Sequence, residues 1–536
     1  MENRLFDDTN LDSIQALEEQ IRERQCPIIQ LKRTQNSLLN ISRLPPEVLG
    51  DIFRRNVIPE GTFEGFENRS YNFLLVCHYW FQVASCTPEL WSFWGNNLRD
   101  WAKRYLRYPA APVDLVLDGV QFPGDTLDTT LRKALQDCAT ADTIRRIHLI
   151  SEDPELPSSI LSPLTANCEG IRSSSVESII IYDDRWDPAV DISDFFAYYR
   201  FPKLQSLELI NCAISSWDLI MSRTSVLTVL DLYFEDPTPN PTTAQLLSIL
   251  ASNPALRKVW LAGRTVPDDG GGMSSLRVPL HHLKELNLSG DFRNVVELLH
   301  RLDHARNTNL TLCLREGVVG DISRFLRPCL RDYLHHRGSS QNGLGLSIFQ
   351  GDRHITLHVG NRGDVHPESV HMDPLVTITI FLSQSTPNDL LEKAFLDLIA
   401  DTSREEIVYF QANGNSTVAK DVYAQLPSLR TLHLVKIPIS AALPKPNMNE
   451  DEGLLPSLQH IVFTGLATDN GDWGPLIAFL SHRVSSGNRL DYLAIIDSSH
   501  MGSEVAEGIR SMVGEFRTGS SSQLEHFDGC YDPSEE

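Results

Sequence analysis

Hydrophobic positions along this chain change their period twice. Leu11, Ile14, Leu17 and Ile21 recur at spacings of three and four, with Glu18, Glu19, Arg22, Glu23 and Arg24 between them. That is the period of an amphipathic helix. Thr9 or Asn10 can cap its start, and Pro27 is expected to kink or stop it, with a second short helix over Leu31 to Leu38. The apolar face either packs back on the segment that follows or pairs in a coiled coil, and its shortness favours packing back.

A second helical pattern opens at LPPEVLGDIF, residues 44–53, where Pro45 and Pro46 suit a first turn whose amide protons have no partner anyway. Leu44, Val48 and Ile52 fall four apart, with Leu49 and Phe53 beside them, and make one broad apolar stripe. From Tyr71 to Ala84 nearly every face is apolar: Phe73, Val76, Trp80 and Val83 on one side, Leu74, Cys77, Phe81 and Ala84 on the other. A helix apolar all round must be covered on both sides, and a segment this small cannot easily supply both covers. Pro88, Leu90, Trp91 and Trp94 add apolar bulk, while Asn56 to Ser70, with Gly61 and Gly65, reads as a surface loop.

Beyond about residue 110 the rhythm becomes LxxLxL. Its cleanest unit, Leu204-Gln-Ser-Leu207-Glu-Leu209-Ile-Asn-Cys212, has the form of a leucine-rich repeat. Similar units centre on Leu230, Val259, Leu286, Leu432, Ile461 and Leu493, and weaker ones on Leu115, Ile147, Ile179, Leu310, Ile378 and Ile407 or Val408. Clear neighbours stand about 23 to 32 residues apart. Each unit predicts a short strand and a helical or irregular return, such as 244–252 and 294–302. A doubly wound parallel sheet also alternates strand and helix, but it closes after about six strands and carries a glycine-rich first turn. The longer alternation here favours a solenoid. Residues 344–348 and 355–359 alternate on either side of Gln350-Gly351-Asp352, a hairpin signature and a possible insertion over 340–362.

Charge narrows the partners. The 70 acidic against 47 basic residues leave a formal net charge of −23, which repels nucleic acid and anionic membrane surfaces. The nine cysteines are scattered without a CxxC pair, the usage of reduced thiols in a cytoplasmic or nuclear protein. The acidic N-terminal stretch lacks the charge and apolar core of a signal peptide, and no apolar run reaches the ~18–20 residues of a membrane helix.

Residues 44–91 resemble an F-box, through LPPE at 44–47, IF at 52–53, VC at 76–77, Trp80, and Pro88 with Leu90-Trp91. The stretch 56–70 is longer than that pattern leads one to expect. The whole chain looks like a fungal-type F-box protein with leucine-rich repeats: α/β, with an N-terminal helix over 1–40, the F-box over 41–100, an irregular solenoid over 105–515 and a tail over 516–536. The resemblance implies a substrate-recognition subunit of a cullin-RING (SCF-type) ubiquitin ligase, with no catalytic residues of its own. The Skp-type adaptor, and through it a cullin, would meet Leu44, Pro45, Pro46, Ile52, Phe53, Val76, Cys77, Trp80, Leu90 and Trp91, which sequence cannot divide into adaptor-facing and core residues.

A protein target would meet the repeats. With Leu207 and Leu209 turned inward, Glu208 faces outward, and the same register turns Asp231, Tyr233 and Trp260 outward. A scaffold that binds the adaptor without a role in degradation is the alternative.

Motifs for other chemistry are missing. His354, His358, His366 and His371 form the densest histidine group, but an i, i+4 pair on a strand stands ~13 Å apart, so no metal and no cofactor is expected. Gly270-Gly-Gly272 lacks a phosphate-loop lysine. With no GxSxG, a hydrolase would need a triad assembled only in space.

Overall fold

A computed structural model describes residues 8–39, 43–57, 71–94, 112–118, 143–151, 157, 160–162, 164, 172–183, 190–234, 241–263, 265–266, 277–305, 308–315, 344–350, 354–362, 372–381, 407–413, 422–423, 425–443, 455–465, 472–497 and 501–519. The protein is mixed α/β, with helices at the N-terminus and a large, mainly parallel sheet. It divides into two compact units, Met1–Ile179 and Ile180–Glu536. Among the described residues no helix is long and apolar enough to cross a membrane.

The first unit opens with α1, Asp8–Ser37, which starts ahead of Thr9 and Asn10 and runs straight through Pro27. The expected break is therefore not there: proline keeps a helix-compatible φ and removes one amide donor, a cost that a helix this long can absorb as a local defect. Nor does α1 pack back on its own unit, since every residue from Ser13 to Gln35 is exposed.

Helix α2, Pro46–Val57, begins at the predicted proline. The apolar run after it is not one helix. A 3₁₀ turn over Tyr71–Leu75 ends before Cys77, which is extended with φ −161°, and α3 follows as His78–Ser85. The break folds the run over a single ring: Phe73 stacks on Phe53 at 4.5 Å, and Trp80 lies 5.2 Å from it. A 3₁₀ turn over Pro88–Trp91 leads into β1, Phe93–Trp94. Strand β1 pairs in parallel with β2, Val113–Asp118, and β2 with β3, Ile144–Ser151. Asp114 of β2 accepts two hydrogen bonds from Arg145, at 2.9 and 2.6 Å.

In the second unit β4 (Ser206–Ile210), β5 (Val229–Phe234), β6 (Lys258–Gly263), β7 (Glu285–Asp291) and β8 (Asn309–Arg315) pair in parallel, each with the next. Leu207, Leu230, Val259, Leu286 and Leu310 stand opposite one another, as do Leu209, Leu232, Leu261, Leu288 and Leu312, and all are buried. A strand period of two makes this inevitable once one leucine faces inward. The helices Thr243–Ser252 and Phe292–Arg301 are the predicted returns, the first started by a capping box of Thr242 and Gln245.

In the described strands between 344 and 381 the array changes pattern. Strands β9 (Leu344–Gln350) and β10 (His354–Arg362) pair antiparallel, and β10 pairs antiparallel with β11 (Met372–Phe381). Parallel contacts of β11 with β8 and of β9 with β12 (Ile407–Asn413) join these three strands to those on either side. Then β12, β13 (Thr431–Val435), β14 (His460–Thr464), β15 (Tyr492–Ile496) and β16 (Glu515–Gly519) pair in parallel. The expected tail boundary at 516 therefore cuts a strand, whose backbone bonds to β15.

Two local devices recur. A buried leucine three residues before the first inward position closes a tight turn, as in Leu204 N–H to the Phe201 carbonyl, Leu283 to Leu280, Leu429 to Leu426 and Leu458 to Leu455. At strand ends Asn211, Lys436 and Asp497 take left-handed φ of 54–55°, and Gly465 takes 61°. In each case the N–H donates to the carbonyl at the end of the next strand, on Tyr233, Thr464, Gly519 and Ile496 respectively. Buried side chains tie the returns: Asn253 accepts from the Leu227 N–H and donates to the Ile249 carbonyl, and Arg483 donates to the carbonyls of Leu455 and Leu458.

Candidate functional site

Two surfaces carry the residues singled out in the sequence. The first is the helical module. Its core is Leu49, Phe53, Leu74, Val83, Ala84 and Leu90, with Leu44, Phe73, Tyr79, Trp80 and Trp91 packed against it and only partly buried. Phe53 and Leu90 are thus core residues. Trp91 is fixed from inside, donating from Nε1 to the Ala84 carbonyl at 2.8 Å, and the Tyr79 hydroxyl donates to the Leu44 carbonyl at 2.9 Å.

Pro45 and Pro46 are exposed, as are Ile52 at 38% and Val76 at 53%; Cys77 is half-buried. Val48, Leu75 and Phe81 are exposed too, Leu75 at 79%. Val48 could have been chosen from its place one turn before Ile52. The exposure of Leu75 follows only from the 3₁₀ turn. This small module thus leaves several large apolar side chains exposed beside its packed core.

The second surface is the outward face of β4–β8. Glu208, Asp231, Trp260, Asn287 and Thr311 lie in one row across neighbouring strands. Tyr233 stands two residues along β5 from Asp231, on the same face and opposite Ile210 and Ala262. The four sequence-selected residues therefore come together. Trp260 is 40% exposed, with the Lys258 ammonium 5.1 Å from its ring centre, while Glu208, Asp231 and Tyr233 are half-buried.

The Ser206 hydroxyl donates to Glu208 at 2.8 Å. Burial, and then the neighbouring Glu208 charge, push the Asp231 carboxyl up to about 7, against the pull of Lys258. Asn287, next in the row, has a shielded Oδ1 without a partner among the described residues. Lys258 and Asn287 were not anticipated; they follow from register alone. The face offers a carboxylate pair beside a half-open indole, an arrangement suited to a cation-bearing side chain.

Of the histidine group, the structure describes the side-chain bonding of His358. His358 bonds through Nδ1 to the Thr377 hydroxyl at 2.8 Å, and burial lowers its pKa to about 4. His366, His371, the glycine run 270–272 and most of the 56–70 loop lie outside the described residues.

Neither a family model nor a curated protein sequence matches the chain. Among solved structures it is similar to the crystal structure of a Rad7 and Elc1 complex from yeast. That similarity amounts to 14% identity over 87% of this chain and 95% of the other, at a TM-score of 0.28. A likeness this slight carries no argument about function.

Proposed function

We propose that the chain is a substrate-recognition subunit of an SCF-type ubiquitin ligase, in which the helical module binds a Skp-type adaptor and the strand array holds a protein target. The observation that carries this reading is the division within the module. Of the positions that match the F-box pattern, Phe53 and Leu90 build the core, while Pro45, Pro46, Ile52 and Val76 are left in water. Apolar side chains held out by a packed core need a partner surface.

We read the array as an irregular leucine-rich-repeat solenoid. The in-register inward leucines, the tight turns before several strands and the left-handed residues at several strand ends support that reading. Its outward row of Glu208, Asp231 and Trp260, with Tyr233, would take a basic or hydrogen-bond-donating segment of the target.

The test is co-purification. Ile52→Ala with Val76→Ala should leave the module folded and weaken adaptor capture by ~2 kcal/mol or more, roughly thirtyfold. Wild-type adaptor levels on the variant would sink the reading. A protein captured through Trp260 that is not stabilised by proteasome inhibition would favour the scaffold without degradation.

A further inference from the structure

Helix α1 carries an apolar seam that is exposed along its length. Ile14, Ile21, Ile28 and Gln35 stand seven apart, and Leu17, Arg24 and Leu31 stand seven apart three residues later, with Leu38 next in that series one residue past the end of the helix. This is an a/d heptad pattern with isoleucine at three of four a positions and leucine at three of four d positions, interrupted by Gln35 and Arg24. Ile14, Leu17, Ile21, Ile28, Leu31 and Leu38 are each more than half exposed. A lone helix with an apolar seam in water and a proline at its centre is hard to sustain, since helical stability comes mainly from packing an apolar face. The seam calls for a second helix.

Charge along α1 says which helix, and in which direction. Asp8, Asp12, Glu18, Glu19 and Glu23 lie before Cys26, with Arg22 and Arg24 the basic residues there; Lys32 and Arg33 lie after it, in a stretch that holds no acidic residue. A parallel pair would set acidic half against acidic half and face Arg24 against its own copy inside the seam. An antiparallel pair reverses both.

We propose that α1 mediates homodimerisation as an antiparallel coiled coil centred near Cys26. In that register Ile14 packs on the partner's Leu38, Ile21 on the partner's Leu31, and Arg24 lays its stem over the partner's Ile28. Glu18 at an e position meets the partner's Lys32 at another, once on each side of the dyad. The two Pro27 residues face each other across the same dyad, so any bend falls at one point in both helices. The assembly would present two copies of everything C-terminal to α1, and the inference stands without the ligase reading.

Sedimentation equilibrium of the full-length chain tests it. The wild type should be a dimer at micromolar concentration, and Leu31→Glu should raise its dissociation constant roughly a hundredfold. Glu18→Lys or Lys32→Glu alone should weaken it about tenfold, and the double variant should restore it. These positions are exposed and touch neither folded core, so the variants should melt as the wild type does. A monomeric wild type overturns the proposal, and so does a dimer that Leu31→Glu leaves intact. A dimer that ignores both charge reversals is parallel, because Glu18 and Lys32 would then lack charged partners, and that overturns it too.

Discussion

The two parallel runs of the second unit, β4–β8 and β12–β16, share an inward face of large apolar residues, yet their outward faces differ. In the first run the outward positions are Glu208, Asp231, Trp260 and Asn287, half-buried or exposed. In the second, Tyr409, Thr431, His433, Val462, Tyr492 and Ala494 are buried, with Gln411 and Thr464 half-buried beside them and Glu515 and Arg517 of β16 exposed at the edge. The polar groups there satisfy one another: the Tyr409 hydroxyl bonds to Gln411 at 3.1 Å and meets His433 Nδ1 at 3.3 Å, and His433 Nε2 meets Thr464 at 3.0 Å. One strand pattern thus supports both an open outward face and one that is largely closed. The inward face makes the strand; the outward face decides what the strand is for.

Truncation should separate the runs most sharply. Tyr492→Ala removes a buried ring from the cluster of Val462, Ala494 and Ile496, and should cost ~3–5 kcal/mol in urea unfolding. Trp260→Ala should cost under ~1 kcal/mol. Similar costs at the two sites would dissolve the distinction.

Acid should come next in size, with opposite signs in the two runs. Burial holds the His433 imidazole neutral, with its pKa lowered to about 4 from 6.5. Between those values the unfolded chain binds more protons, so stability is full above pH 6.5 and falls as pH drops toward 4, by roughly 3 kcal/mol in all. Asp231 is raised to about 7 from 3.8. There the folded state binds more protons, so the stability that it contributes is present at low pH and is lost as pH rises through 7. Denaturation midpoints across pH 4–8 should show His433→Gln flattening the acid limb. Asp231→Asn should stabilise at pH 8 by ~1–2 kcal/mol, after discounting for partial exposure.

The smallest effect on folding should be the most telling for function. Trp260→Ala with Tyr233→Ala should leave adaptor binding unchanged and weaken target capture by ~2 kcal/mol. Unfolding of the array by this pair would place both residues in the second, structural class.

Much of this was legible in the chain. Every segment named for a strand, from Leu115 to Leu493, forms one, because LxxLxL states the period, the inward face and the turn before it. The outward register of Glu208, Asp231 and Trp260 follows by counting in twos. The helix at Pro46 follows from its prolines. Sequence could not foretell the broken helix at Leu75–Cys77, since the break answers to the Phe53 ring, which comes from another element. For the same reason it could not separate Phe53 from Ile52. The two are adjacent and equally apolar, and only the packing of α3 and the turn before it puts one inside and the other in water. His433 shows the limit most plainly. A histidine on an outward strand position reads as a solvated side chain, and only tertiary closure over the second run makes it a buried, neutral, hydrogen-bonded part of the core. Periodicity is local and survives in one dimension, whereas burial depends on what distant segments bring to the other side.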